Sequence, residues 1–246
     1  MFLRSGNPSL KKEAFENFDT LGSGETMTIG GTVNKTFILL LLVLATFIYS
    51  WNQFVTNPGS VLPLILIGAI GGLIVALITI FVPKVAPFTA PLYALLQGLF
   101  LGAISAQYEA QYGGIVFQAV LLTIAVLFSL LLVYKSGLIK VTQNFRIGVV
   151  AATGAIFLVY IISFIGGFFG FQVPYIHESS PIGIAISVVI VIIAALNLVL
   201  DFDFIENAAG NRVPKYFEWY GAFGLLVTLI WLYLEILRLL SKLRNR

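Results

Sequence analysis

The chain has no cysteine and a single histidine, and only 10% of its 246 residues are charged. Without cysteine there is neither a disulfide framework nor a thiolate metal site. One histidine, His177 beside Glu178, cannot build a zinc site alone. A soluble domain carries about 25% charged residues to keep its surface wet, so the scarcity of charge excludes that class. Enzyme signatures are missing too. There is no HExxH, no GxSxG and no GxGD, and Gly30-Gly31-Thr-Val-Asn-Lys-Thr lacks the spacing and preceding strand of a phosphate loop. The expectation is a protein that is not an enzyme and uses no cofactor.

What is abundant is apolar length. The hydrophobic fraction is 59% and the mean hydropathy +1.00. The apolar runs are continuous and long enough to cross about 30 Å of hydrocarbon, which rules out the alternating pattern of an outer-membrane barrel. The fold class is an all-α integral membrane protein, a bundle of seven transmembrane helices. The spans cover about residues 36–51, 61–82, 89–107, 115–134, 147–169, 181–210 and 219–240. Ser180 as N-cap and Pro181 at the first helical position mark the start of the sixth. Gly98 and Gly102 on the third form a GxxxG spacing that lets two backbones approach.

Residues 1–34 are polar and glycine-punctuated and read as a mobile arm, with a short surface helix over residues 11–18, ahead of a membrane domain over residues 35–246. The arm lacks a cleavable signal pattern. Lys84, then Lys135, Lys140 and Arg146, then Arg212 and Lys215 fall in alternate loops, on the side of Lys11, Lys12 and Lys35. The excess of basic residues in those loops puts the N-terminus in the cytoplasm, the host being expected to be a bacterial plasma membrane. The net charge of +3 therefore reports orientation and not nucleic-acid binding. Seven spans leave Lys242, Arg244 and Arg246 on the opposite side, against the same rule.

Two acids lie inside apolar runs, Asp201 in Leu-Val-Leu-Asp-Phe-Asp-Phe and Glu235 in Leu-Tyr-Leu-Glu-Ile-Leu-Arg. A lone acid at bilayer centre costs roughly 2.5–3.5 kcal/mol on insertion scales and usually faces a partner or a water cavity. Asn197, four residues before Asp201, shares its helix face. Asp203 lies about 200° round and reads as solvated together with Glu206. Glu235 has Arg238 at i+3 and Trp231 at i−4. Two arrangements are open for it: an intrahelical pair with Arg238, or a proton shared with Asp201 across the bundle, since two close carboxylates in low dielectric cannot both ionise. Gln97, Gln118 and Thr228 read as helix glue.

A sixth helix carrying Leu-Asp-Phe and a seventh carrying Leu-Tyr-Leu-acid-Ile and Leu-Arg-Leu-Leu, with Tyr134-Lys-Ser-Gly-Leu-Ile-Lys-Val-Thr-Gln-Asn-Phe145 between spans four and five, resemble the Bax inhibitor/YccA family, also called the transmembrane Bax inhibitor motif family. The resemblance covers about residues 36–243. It implies a seven-helix fold with one helix enclosed by the others and pH-dependent calcium leak. It also implies protection from cell death in eukaryotic members and, in bacteria, modulation of a membrane protease. The family's paired aspartates map onto Asp201 and Glu235, which would act as proton-sharing gate and transient Ca²⁺ ligands, with Asn197 and Arg238 in support. Glu218 is a second candidate for the seventh-helix acid, because the loop before it is about ten residues longer than in simpler members. A basic residue that pairs with the sixth-helix acid in some members has no counterpart over residues 61–82, which leaves Arg146 or Arg238 as substitutes. The implied partners are the lipid bilayer, Ca²⁺, protons and a membrane protein. A proton-coupled small-solute transporter is the further alternative, weakened by the absence of a visible internal repeat.

Overall fold

The computed structural model describes residues 25–170 and 178–245. The arm before residue 25, its proposed surface helix and His177 lie outside them. Among the described residues, seven helices are long and apolar enough to cross a membrane: α1 (Ile29–Thr56), α2 (Pro58–Phe81), α3 (Ala86–Gln111), α4 (Ile115–Lys135), α5 (Gln143–Phe168), α6 (Pro181–Gly210) and α7 (Phe217–Arg244). Local signals explain the boundaries. Thr28, Thr142 and Ser180 each cap a helix by accepting from the backbone N–H three residues on, at 2.9–3.2 Å, which satisfies a donor that the first turn leaves free. α1 begins at Ile29, so residues 29–34, which composition places in the arm, extend the first helix instead.

α7 is the axis of the bundle. Its buried residues recur along the whole helix, from Glu218 and Gly221 through Leu226 and Leu232 to Lys242. Helices α1, α3, α4 and α6 pack directly on it, α2 packs on α3, and α5 packs on α6. Close approach follows the glycines. A Cβ on Gly102 would meet the Phe47 carbonyl oxygen at 2.3 Å, and one on Gly98 the Val43 carbonyl oxygen at 2.3 Å. The α1–α3 contact therefore needs this GxxxG. In α2, a π-helical turn at Ile67–Gly71 presents Gly68 to α3, where a Cβ would come within 2.6 Å of the Leu96 carbonyl oxygen. α5 is the outlier, with Val149 alone buried.

The two ends of the bundle are tied differently. At the end where residues 25–28 dock, the near end, Thr26 bridges Pro214 in the α6–α7 link. Met27 N–H donates to the Val213 carbonyl at 2.8 Å and Lys215 N–H to the Glu25 carbonyl at 3.1 Å. At the far end, Lys242 donates to the Gly183 carbonyl at 3.1 Å and to Ser187 Oγ at 2.8 Å. Arg244 donates to the carbonyls of Tyr112 and Gly113 at 2.9 and 2.7 Å. Lys242 and Arg244, two of the basic side chains that conflict with the charge rule, are thus engaged at the start of α6 and at the α3–α4 turn. Arg244 meets the carbonyl at the C-terminal end of α3, where the helix dipole favours a cation.

Candidate functional site

From the near end a crevice of about 790 Å³ runs into the bundle between α2, α5, α6 and α7. Its rim carries Arg146, Asp203, Asn207, Asn211 and Tyr220, and its inner part carries Asn197, Asp201, Gly224 and Thr228. Arg146 Nη2 and Asp203 Oδ2 are 2.6 Å apart, with the Asp203 side chain only 15% exposed. The expectation of a solvated Asp203 gives way to an ion pair that joins α5 to α6. Glu206 is solvent-facing, as expected, and accepts from the Tyr134 hydroxyl.

Asp201 is the deep acid. Its Oδ2 is buried and accepts no hydrogen bond. Its Oδ1 faces the bare backbone at Gly224, where a Cβ would stand at 3.9 Å, and the Thr228 hydroxyl lies within reach. No cation is paired with it among the described residues, since Arg146 is engaged with Asp203 and Arg238 with Glu235. Neither arginine therefore replaces the basic residue missing from the second span. Asn197 donates both to Thr153 Oγ1 on α5 and to the Ile193 carbonyl, each at 2.8 Å. That leaves its amide oxygen as the group it can offer the crevice.

Glu235 stands elsewhere. Its carboxylate is 2% exposed and accepts from Arg238 Nη1 at 3.1 Å on each oxygen, from the Tyr160 hydroxyl at 2.9 Å and from Trp231 Nε1 at 3.2 Å. The Arg238 guanidinium in turn sits 5.1 Å from the Tyr160 ring centroid. The structure thus realises the intrahelical pair and not the proton shared with Asp201. The reason is register between antiparallel helices. Asp201 lies nine residues from the end of α6, whereas Glu235 lies eighteen residues from the start of α7. The nine-residue mismatch is about 13 Å at 1.5 Å per residue. With the acids at different depths, one Ca²⁺ cannot be held by both, and Thr228 occupies the place opposite Asp201. Among the described residues no three or more His, Cys, Asp or Glu side chains converge.

Sequence reasoning gave Glu218 a minor place, yet it anchors the near end. It is 1% exposed and pairs with Lys35 of α1. It also accepts from Thr28 N and Thr28 Oγ1 at 3.0 and 2.9 Å. An acid at the α1 N-terminus satisfies the Thr28 N–H and complements the helix dipole at once. A Cβ on Gly31 would fall 2.1 Å from Glu218 Oε1, so only glycine leaves room for the carboxylate. Met27, 2% exposed, packs beside this cluster with Ile205, Ala208, Val213 and Phe217. Outside it, the Glu25 carboxylate holds the Lys215 ammonium above its ordinary range. The local trace of the clamp in the sequence is the Thr28-x-x-Gly31 run beside Lys35, which is too short to separate from an ordinary helix start.

A comparison with protein families matches the model described as Bax inhibitor 1 like over residues 7–245. Neither a curated protein nor a solved structure matches the chain.

Proposed function

The chain belongs to the Bax inhibitor 1-like family, and on that premise we propose that it passes cations, Ca²⁺ among them, slowly through the Asp201 crevice under proton control. It is a multi-pass membrane protein, and on this reading the near end faces the cytoplasm. The observation that supports the reading best is the buried, unpartnered Oδ2 of Asp201 at the inner end of a crevice that begins among polar side chains. Uncompensated acids at membrane depth belong to ion and proton paths more often than to structure. Protonation of Asp201 changes its charge with no cation nearby to offset the change. The other titratable groups facing the crevice are Asp203, Arg146 and Tyr220. The first two neutralise one another, so the sensing falls to Asp201. Ca²⁺ takes six to eight oxygens, and one carboxylate, one amide and one hydroxyl supply far fewer. The site suits transit and not storage. Glu235 is assigned to structure, and the protein acts without a catalytic residue or cofactor.

Ca²⁺ flux into proteoliposomes, measured across pH, tests this for wild type, Asp201→Asn and Glu235→Gln. Wild type is expected to conduct above empty liposomes with a pH-dependent rate. Asp201→Asn should flatten that dependence and Glu235→Gln should keep it. Absence of wild-type flux at every pH defeats the conduction reading, and an unaltered profile in Asp201→Asn removes Asp201 as sensor.

A second reading, a non-conducting regulator of a membrane protein such as a protease, is favoured by α5. A helix that buries only Val149 and packs on α6 leaves an apolar flank including Phe157 and Phe164 for another transmembrane helix. Co-purification from membranes that fails for a Phe157→Ala, Phe164→Ala variant, in the absence of wild-type flux, would select it.

A further inference from the structure

Much of the crevice wall around its polar inner end is apolar. Around Asp201, Asn197 and Thr228 stand Ala76 and Ile80 from α2, Val150 from α5, and Leu200, Phe204 and Val227 from α6 and α7. Ile80, Val150 and Phe204 are exposed at 40–57%, on the flank that faces hydrocarbon in a spanning bundle. α2 packs on α3 and α5 on α6, so no extensive contact knits α2 to α5 across this flank. The crevice therefore opens sideways to the bilayer as well as to the near end.

We propose that the crevice is a binding site for an amphiphilic amine: a single ammonium on an apolar body, entering between α2 and α5. This rests on the reading of the Asp201 crevice as the functional site and names a ligand class for it. Three observations converge on that chemistry. The inner end supplies one negative charge with no cation paired to it among the described residues, which balances one ammonium. It supplies three acceptor groups, the Asp201 carboxylate, the Asn197 amide oxygen and the Thr228 hydroxyl, matching the three N–H donors of a primary ammonium. The remaining lining is mainly apolar, and about 790 Å³ falls in the range of sites that enclose an organic molecule. The rim pair of Arg146 and Asp203 is neutral overall and neither repels nor captures the charge. A ligand held here would block the cation path.

The test is direct binding to the full chain in lipid nanodiscs, by saturation-transfer NMR and titration calorimetry, at neutral pH. The probes are 4-phenylbutylamine, 4-phenylbutan-1-ol and 4-phenylbutyrate. Wild type should bind the amine saturably, the alcohol more weakly and the carboxylate not at all. Asp201→Asn should lower amine affinity by at least about tenfold, the loss expected when one partner of a buried charge pair is removed, while leaving the alcohol unchanged. Asp201→Glu should retain most of the amine affinity. Equal binding of amine and alcohol by wild type, or undiminished amine binding by Asp201→Asn, overturns the proposal. Should Asp201→Asn not fold, Ala76→Trp narrows the lateral opening from α2 without touching charge. It is expected to abolish amine binding, and full retention there overturns the proposal equally. The readout needs no Ca²⁺ flux. Amine binding without flux defeats only the conduction reading, and flux without amine binding defeats only this one.

Discussion

Removing the Arg238 guanidinium would leave the Glu235 carboxylate buried, with only Tyr160 and Trp231 to donate to it. Breaking a buried pair from one side costs about 3–5 kcal/mol, because the remaining charge is uncompensated. Arg238→Ala should therefore lower the unfolding midpoint of the purified protein sharply. The double variant Arg238→Leu, Glu235→Leu should recover much of the loss, and a midpoint as low as that of Arg238→Ala would contradict the pairing. Asp201 behaves differently at the same scale, because it stabilises no partner. Asp201→Asn removes a charge that nothing balances and keeps a polar group near Thr228, so it is expected to hold or raise thermal stability while altering pH response. The two acids look alike in sequence and differ in what surrounds them. Glu235 has two ring-bearing donors and an arginine, and Asp201 has a glycine, a threonine and a crevice.

Helix registers decide which acids meet, and here the α6–α7 link sets the register. Residues 211–216 fold back against Thr26 instead of looping free, so α7 begins at Phe217 and Asp201 stands level with Gly224 and Thr228. The existence of each helix was legible in the sequence, because apolar length and capping residues are local quantities. The relative depth of two side chains was not, because it depends on how a non-local strap pins a linker. The clamp predicts its own sensitivity. Lys35→Met leaves Glu218 buried without its cation and should cost about 3–5 kcal/mol. Gly31→Ala, whose Cβ would sit on the carboxylate, should loosen residues 25–28. Hydrogen exchange over residues 25–28 and 213–215 is the measurement, and protection equal to wild type in both variants would show that the strap holds without the clamp. On α3, Gly102→Leu drives a side chain into the Phe47 carbonyl, and failure to accumulate in membranes is expected. Here the GxxxG was readable in advance, because small-residue spacing is itself a packing signal.

Over the whole molecule, the strap and the Arg244 end lie at opposite ends of the bundle, so if all seven helices cross, the two are expected on opposite faces of the membrane. A chain without cysteine makes this simple to check. Single cysteines at Thr26 and Asn245 should react with an impermeant thiol reagent from opposite sides of sealed vesicles. Labelling from one side would mean that one helix re-enters. The bundle has α7 as its axis, a clamped near end, a far end tied by Lys242 and Arg244, and one little-buried helix, α5, beside the crevice. On the proposed reading the site is a single acid and not a proton-sharing pair. The sequence allowed both, since it carries two membrane-depth carboxylates but no record of their separation. The most direct test of that central claim is pH-difference infrared spectroscopy of the reconstituted protein, which observes carboxyl protonation itself. A titrating carboxyl band that disappears in Asp201→Asn and is unchanged in Glu235→Gln is the expected result. A band that shifts or vanishes in Glu235→Gln would show that the two acids share a proton after all.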